Sequence, residues 1–228
     1  MTVNRQSPSG TENPARIFIV DDHPIIHEGL NSLIGKEPDM TVCGGADSVS
    51  EARTRLCESR ADTAVVDLTL REGSGLELIK DIHARYPNLP ILVLSMRDEL
   101  MFAERALQAG ARGYVMKESA GASLIGAIKT VLKGEIYLSD NMSRRLLARV
   151  AGGNAAGRSL ETDRLTDREL EVFRLLGNGL ATREIAEKLH RSIKTIQSHR
   201  ENIKHKLGCR NAAELVQRAV RCVELATK

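Results

Sequence analysis

Short apolar runs alternate with amphipathic segments along the first 133 residues of the chain. The runs are rich in β-branched residues and predict strands at Arg16–Val20, Thr41–Gly44, Thr63–Asp67, Pro90–Ser95 and Arg112–Met116. Helical spacing follows each run and predicts helices at Pro24–Gly35, Ser48–Ser59, Leu76–Tyr86, Leu100–Ala109 and Ser119–Lys133. Five strands that alternate with five helices predict an α/β fold, in which a doubly wound, five-stranded parallel sheet carries helices on both faces.

Polar residues whose side chains can react or bind an ion stand at the ends of the predicted strands. These residues are Asp21, Asp22, Asp67, Ser95 and Lys117. Parallel sheets of this kind place their sites beyond the carboxyl ends of the strands, so we expect the five side chains to meet in one pocket. Three carboxylates in one pocket repel one another, and a hard divalent cation such as Mg²⁺ relieves that repulsion. Asp67 is then the candidate nucleophile for a phosphoryl group, with Lys117 and Ser95 as donors to the phosphoryl oxygens.

A second pattern begins beyond the predicted sheet. One further helix is expected at Asn141–Val150, and the Gly- and Ala-rich stretch Ala151–Arg164 has the composition of a flexible linker. Four helical segments follow, at Asp167–Leu176, Thr182–Leu189, Ile193–Leu207 and Ala212–Cys222. The short second segment, the tight turn and the cap residue Ser192 give helix-turn-helix spacing. The sequence therefore predicts a small all-α helix-turn-helix domain after the α/β domain.

The helix predicted at Ile193–Leu207 separates apolar and polar residues. Its apolar side is expected to carry Ile193, Ile196, Ile203 and Leu207, and its polar side Lys194, Gln197, Ser198, Glu201 and Lys204. Residues 159–228 hold 14 Lys and Arg against 10 Asp and Glu, a balance of +4, whereas residues 1–158 have a balance of −1. A basic helix of this length can cross the major groove of DNA, so the second domain is predicted to bind double-stranded DNA.

Composition narrows the class of protein further. No run of 18 apolar residues is present, so no membrane span is expected, and the N-terminus lacks the apolar core of a secretory signal. The four cysteines, Cys43, Cys57, Cys209 and Cys222, form no C-x-x-C pair, which disfavours a zinc site and fits a reducing cytoplasm. Aromatic residues make up only 3% of the chain, too few for a protein that binds single strands by base stacking.

The residues at the strand ends resemble the motifs of a known domain. The quoted segments are Ile19-Val20-Asp21-Asp22-His23-Pro24, Asp67-Leu68-Thr69, Leu94-Ser95 and Gly113-Tyr114-Val115-Met116-Lys117. Together they resemble the flavodoxin-like receiver domain of two-component response regulators. The resemblance implies that Asp67 is phosphorylated and that Lys117 contacts the phosphate. It also implies that Asp22, Asp67 and the Thr69 carbonyl hold Mg²⁺, with Asp21 assisting.

The resemblance further implies a conformational switch formed by Ser95 and Tyr114. A hydrogen bond from the Ser95 hydroxyl to the phosphoryl group would pull the preceding loop inward, and the Tyr114 ring would fill the space that the loop vacates. One departure from the family pattern concerns the loop after Asp67. Leu70-Arg71 stands where a Met-Pro pair is usual, so the loop loses a residue that presets its backbone, but it loses no ligand.

The basic segment resembles the LuxR-type DNA-binding domain. Its motifs are Leu165-Thr166-Asp167-Arg168-Glu169, Gly179-Leu180-Ala181, Glu184-Ile185-Ala186, Ser192-Ile193-Lys194-Thr195-Ile196, His199 and Lys206-Leu207-Gly208. The resemblance implies that Ile193–Leu207 is the recognition helix. It implies base contacts from Lys194, Gln197, Ser198 and Glu201, and phosphate contacts from Thr195, Arg200 and Lys204.

The two resemblances together indicate a response regulator of the NarL/FixJ type. We expect a disordered tail at 1–15, a receiver at 16–133, a helix and linker at 134–160 and the DNA-binding domain at 161–226. The expected partners are a sensor histidine kinase, promoter DNA and, after phosphorylation, a second copy of the chain, with RNA polymerase as a further candidate. No enzymatic turnover is expected.

Two alternatives stay open at this point. One is a DNA-binding regulator that works without phosphorylation, which the intact set of Asp21, Asp22, Asp67 and Lys117 disfavours. The other is a phosphatase of the haloacid dehalogenase type, which also uses an Asp nucleophile but has a D-x-D-x-T motif. Thr69 stands where that motif has its second Asp.

Overall fold

The computed structural model describes residues 13–70, 73–151, 161–189 and 191–226. The chain divides into two compact units, with the boundary between Met142 and Ser143. Three sequence predictions fall wholly or partly on other residues: most of the disordered tail, the departure at Arg71 and residues 152–160 of the predicted linker lie outside the described parts of the chain. The last residues of that linker, Glu161–Arg164, were wrongly predicted to be flexible, because they form a short 3-10 helix ahead of the next domain's first helix. Across the described parts, no helix is both long enough and apolar enough to cross a bilayer.

The first unit is a parallel sheet of five strands in the order β2-β1-β3-β4-β5. The strands are β1 (Ala15–Val20), β2 (Met40–Ala46), β3 (Thr63–Val66), β4 (Ile91–Ser95) and β5 (Gly113–Met116). The helices between and after them are α1 (Pro24–Ile34), α2 (Val49–Ser59), α3 (Gly75–Arg85), α4 (Glu99–Gln108) and α5 (Ala120–Leu132). The predicted five-stranded α/β fold is thus confirmed.

Burial explains why these segments form the sheet. Every residue of β3 and β4 is buried, as expected for parallel strands that are covered by helices on both faces. Ile17 and Ile19 of β1 pack with Leu124, Ile128 and other residues of α5 in one apolar cluster. Because adjacent strands run parallel, their carboxyl ends meet at one edge of the sheet.

Two features of the sheet differ from the sequence prediction. Strand β2 runs from Met40 to Ala46, beyond its predicted end at Gly44, and Gly44 leaves room for the Phe18 ring of the neighbouring strand. A Cβ on Gly44 would lie 3.2 Å from that ring. In addition, Tyr137 forms a parallel bridge with Gly113 at the outer edge of β5, where no strand pairing was predicted.

The described helices that follow are α6 (Asp140–Val150), α7 (Asp167–Gly177), α8 (Thr182–Lys188), α9 (Ile193–Lys206) and α10 (Ala212–Ala226). Helix α7 begins with a capping box, in which the Thr166 hydroxyl accepts from the Glu169 amide and the Glu169 carboxylate accepts from the Thr166 amide. Helix α7 packs closely on α10, since a Cβ on Gly177 would lie 2.5 Å from the Ala219 carbonyl oxygen. These contacts fix α7 and α10 against each other, and α8 and α9 pack on α7.

Candidate functional site

Three aspartates form an acidic pocket at the carboxyl end of the sheet. Asp21 and Asp22 follow β1, and Asp67 follows β3 directly. Val20 and Val66 are paired in the adjacent strands, so the residues after them are brought together. One oxygen of each aspartate lies within 4.8 Å of the others and of a ring nitrogen of His23. All three carboxyl groups are buried, and Asp67 is only 2% exposed.

Lys117 supplies the positive charge of this acidic pocket. Its Nζ atom lies 2.6 Å from Asp21 Oδ2 and 2.7 Å from Asp67 Oδ2. Burial alone would lower the pKa of Lys117, but the carboxylates of Asp67 and Asp21 raise it above its ordinary value. The lysine is therefore charged. Burial raises the pKa of Asp67, although Lys117 and the Thr69 amide act in the opposite direction.

The donor set of the acidic pocket fits a divalent cation. Three carboxylates face one ammonium group, so the ionised pocket carries an excess of negative charge. Carboxylate oxygens are the ligands that hard divalent cations prefer. His23 lies at the rim, with its Nδ1 atom 2.7 Å from Asp22 Oδ1, and its side chain is mostly exposed. Among the described residues, these four form the group that could hold a metal ion.

The predicted site residues Thr69 and Ser95 lie beside the acidic pocket. Arg97, which the sequence analysis did not single out, forms hydrogen bonds to both. The Thr69 amide donates to Asp67 Oδ1 at 3.1 Å. Arg97 Nε donates to Thr69 Oγ1 at 3.1 Å, and the Arg97 amide donates to Ser95 Oγ at 3.3 Å. The Arg97 side chain is buried, with its guanidinium 4.9 Å from the centre of the Phe102 ring. No motif marks this arginine, because its burial depends on a ring in the next helix.

Tyr114 occupies the interior in the described arrangement. It is 1% exposed, and its hydroxyl donates to the Arg97 carbonyl at 2.9 Å. Burial raises the pKa of Tyr114 above its ordinary value, against the effects of Arg97 and Ser95. The ring therefore lies inside the fold, with its hydroxyl bonded to the loop that follows β4. Ser95 and Tyr114 are brought together around Arg97, and their role as a switch stays a prediction.

The second unit exposes one face of α9. The four residues predicted to contact bases, Lys194, Gln197, Ser198 and Glu201, are all exposed along this helix. Their spacing places them on one side, while Ile196 and Ile203 are buried on the other. Ser192 caps the helix by accepting from the Thr195 amide at 3.0 Å. The exposed face has the size and polarity required to enter a DNA groove.

The residues predicted to contact phosphates are also used within the fold. The Thr195 hydroxyl lies 2.8 Å from the Ser192 hydroxyl at the cap. Arg200 donates to the Thr182 hydroxyl of α8, and Lys204 is paired with Glu201 on its own helix. One prediction was wrong: Ile193 was placed on the apolar side but is 45% exposed. As the first residue of α9, it lies beyond the core that buries Ile196 and Ile203.

A further ion pair, between Lys206 and Glu169, joins α9 to α7. Lys206 Nζ lies 2.6 Å from Glu169 Oε2, and Glu169 is buried. Burial would raise the pKa of Glu169, but Lys206 and the Thr166 amide lower it below its ordinary value. The sequence showed Glu169 only as part of a capping box. Its second role arises because the end of α9 lies beside the start of α7.

Both units match families of known proteins. Residues 17–129 match the response regulator receiver domain, and residues 163–219 match the luxR family of bacterial regulatory proteins. The chain is similar to the DNA-binding transcriptional activator DevR/DosR of Mycobacterium tuberculosis (strain ATCC 25618 / H37Rv), with 37% identity over 195 residues. That similarity covers 85% of this chain and 88% of DevR/DosR.

Two further similarities extend over most of the chain. The oxygen regulatory protein NreC of Staphylococcus aureus (strain JH9) is 33% identical over 210 residues, which are 90% of this chain and 97% of NreC. RcsB of Salmonella enterica serovar Typhimurium, solved bound to promoter P1flhDC in the presence of the phosphomimetic BeF₃⁻, is 32% identical, with a TM-score of 0.61. It aligns with 91% of this chain and 98% of its own.

Proposed function

Because this chain belongs to the two-component response regulators that join a receiver domain to a LuxR-type DNA-binding domain, we propose that phosphorylation of Asp67 controls its binding to promoter DNA. The observation that carries this proposal is the buried group of Asp21, Asp22 and Asp67 bridged by Lys117. A sensor histidine kinase is the expected phosphodonor. Because the target is promoter DNA, we place the protein in the cytoplasm.

We assign the receiver function to residues 16–133 and the DNA-binding function to residues 161–226, with a connecting segment at 134–160. Asp22, Asp67 and the Thr69 carbonyl would hold Mg²⁺, and Asp21 would assist. When bound, the cation neutralises charge that spreads over the phosphoryl oxygens during transfer. Burial within the acidic pocket keeps bulk water away from Asp67, and the Thr69 amide fixes one of its oxygens.

The transfer step uses Asp67 as the nucleophile. A carboxylate oxygen of Asp67 forms the new bond to phosphorus, while the bond from phosphorus to the donor's histidine nitrogen breaks. The electron pair of that bond stays on the nitrogen. Lys117 lies 2.7 Å from Asp67 Oδ2 and would move its ammonium onto a phosphoryl oxygen, and the Ser95 hydroxyl would donate to another.

DNA recognition is assigned to α9. The exposed side chains Lys194, Gln197, Ser198 and Glu201 would face base edges in the major groove. Thr195, Arg200 and Lys204 would contact phosphates, after leaving the partners that they have in the described structure. Two chains that pair after phosphorylation would present two such helices, and the linkage would raise affinity through effective concentration. The chain is thus proposed to be a regulator of transcription and not an enzyme with its own turnover.

The proposal is tested by intact mass and DNA binding together. A DNA duplex that the protein binds is first selected from a random pool. With Mg²⁺ and a small acyl-phosphate donor, the wild-type protein should gain about 80 Da and bind this selected DNA duplex more tightly. Asp67→Asn should show neither change. Asp22→Asn should slow formation of the adduct by about 100-fold, the usual cost of losing an electrostatic stabiliser of the transferring group.

Asp81→Asn is the matched control, because Asp81 is an acidic residue of the same unit that pairs with Arg53 outside the acidic pocket. It should keep the wild-type rate of adduct formation. A wild-type protein that never acquires the adduct would overturn the proposal. An adduct that forms without changing DNA affinity would favour the phosphorylation-independent regulator.

A further inference from the structure

After α5 the chain returns to the sheet and attaches to β5. The Tyr137 amide donates to the Arg112 carbonyl at 2.9 Å, and the Tyr137 carbonyl accepts from the Tyr114 amide at 3.0 Å. This pairing uses the outer edge of β5, the last strand of the sheet. Gly113 permits the close approach, because a Cβ there would lie 3.0 Å from the Tyr137 carbonyl oxygen. The segment after α5 is therefore held to the edge of β5 by one bridge residue, Tyr137.

Glu99 makes a second attachment to the same segment. It is the first residue of α4 and is only 7% exposed. Its Oε1 atom accepts a hydrogen bond from the Ser139 amide at 2.9 Å. The Ser139 hydroxyl in turn accepts from the amide of Met142, a buried residue in the first turn of α6. The carboxylate of Glu99 thus fixes the residue that caps α6.

Both attachments lead back to the loop that follows β4. Tyr114, whose amide meets Tyr137, also donates its hydroxyl to the Arg97 carbonyl in that loop. Glu99 ends the same loop, and the Arg97 amide donates to Ser95 Oγ. A shift of this loop toward a group on Asp67 would displace the carboxylate that holds Ser139. Because Glu99 is buried, its carboxylate cannot stay without a donor when it loses the Ser139 amide. It must move to a second position in which another donor satisfies it.

We propose that residues 136–142 are the output element of the first unit, and that Glu99 is the positioning residue through which the β4–α4 loop sets their conformation. This inference rests on the proposed phosphorylation of Asp67. Movement of the loop breaks or moves the hydrogen bond between Glu99 and Ser139. The cap of α6 then shifts, and the helix carries that shift along the chain toward the DNA-binding region.

The test compares the affinity of the full-length protein for its selected DNA duplex with and without phosphate on Asp67. Glu99→Ala removes the acceptor and should gain the mass adduct at the wild-type rate. It should lower the phosphate-induced gain in affinity by about tenfold, the effect expected from losing a hydrogen bond to a charged group. Glu99→Gln keeps the side-chain volume and an acceptor oxygen and should restore most of the gain, whereas Glu99→Met keeps the volume without the acceptor and should not.

Hydrogen exchange supplies a readout that does not depend on DNA. Phosphorylation should change the exchange rates of amides 136–142 in the wild-type protein, and these rates should be fast in both states of Glu99→Ala. Glu135→Ala, a change at an exposed glutamate beside the segment, should behave as wild type in both measurements. Full coupling in Glu99→Ala, or exchange at 136–142 that ignores phosphate, would overturn this inference alone. A wild-type protein that shows no phosphate effect on DNA binding would overturn the proposed function as well.

Discussion

The two units of this protein use charged residues in opposite ways. In the first unit, the side chains of Asp21, Asp67 and Lys117 are buried together, and each has its position fixed by the end of a strand. In the second unit, Lys194 and Glu201 stand exposed on a helix, where the fold fixes the backbone and leaves the side chains in solvent. A buried site is thus organised before its ligand arrives, whereas an exposed one is completed by the ligand.

This difference has an energetic consequence. Charges in the acidic pocket interact in a medium of low dielectric. Removing one of them leaves an uncompensated buried charge, which lowers the free energy of unfolding strongly. Charges on α9 are screened by water and salt, so a change there costs little stability and acts mainly on binding. Stability measurements should therefore respond to the acidic pocket, and binding measurements to the helix.

The largest effect on stability is expected from Lys117→Met in the absence of divalent cations. Loss of the ammonium group leaves Asp21 and Asp67 buried without their shared cation, and we expect the first unit to lose about 3 kcal/mol of unfolding free energy. Millimolar Mg²⁺ should recover part of this loss, because the metal would supply the missing positive charge. Urea denaturation with and without Mg²⁺ measures both quantities.

Lys129→Met is the matched control for this prediction. Lys129 also bridges two carboxylates, Glu37 and Asp39, but its side chain is 41% exposed. We expect little change in stability and no response to Mg²⁺. Equal losses for Lys117→Met and Lys129→Met would contradict the contrast between buried and exposed charge.

Much of this contrast could be predicted from the sequence. The apolar runs indicated the parallel sheet. They also indicated the edge at which its polar residues meet, because they end at Asp67, Ser95 and the residue before Lys117. That inference works because the direction of a parallel strand fixes where the next side chain lies. Exposure of Lys194 and Gln197 followed in the same way from helical periodicity.

The features that the sequence did not predict are contacts between distant elements. Burial of Arg97 depends on the Phe102 ring, and the attachment of Ser139 depends on Glu99. Neither residue has a motif, because each acts through a partner whose position only the folded chain determines. The exposure of Ile193 has the same origin, since periodicity places a residue on a face but does not show how far the opposing core extends.

Two substitutions on α9 distinguish a residue that acts on DNA binding alone from one that also stabilises the fold. Gln197→Ala should lower the affinity for the selected duplex by about 1–3 kcal/mol, the value of a good base contact, and leave thermal unfolding unchanged. Arg200→Ala should lower the unfolding free energy of the second unit by about 1 kcal/mol, because it removes the hydrogen bond to Thr182 of α8. It should also weaken DNA binding, because it removes a proposed phosphate contact. Fluorescence anisotropy with labelled DNA and calorimetry of each variant give the two numbers. Equal effects of both variants on unfolding would contradict the division of α9 into an exposed face and a packed one.

The smallest expected effect concerns the pair of Glu169 and Lys206, which joins α7 to α9. The pKa of Glu169 is lowered in the folded chain, so its ion pair contributes stability at neutral pH. That contribution is complete above the ordinary pKa of an unfolded glutamate, 4.5, and is lost as the pH falls through the lower folded value. Glu169→Gln removes the titration and should cost about 0.5 kcal/mol at pH 7, since Lys206 is partly exposed and the pair is partly screened.

This loss should shrink as the pH falls below 4.5, because the wild-type protein then gives up the same interaction by protonation. Hydrogen exchange of α9 amides at neutral and acidic pH follows the difference without interference from the first unit. Glu184→Gln is the control: Glu184 also accepts an amide at the start of its helix, from Ala181, but it is an exposed carboxylate. Its substitution should leave the α9 amides unchanged at both pH values. A Glu169→Gln penalty that stays constant from pH 7 to pH 4 would mean that packing at the capping box, and not the charge of Glu169, holds the recognition helix in place.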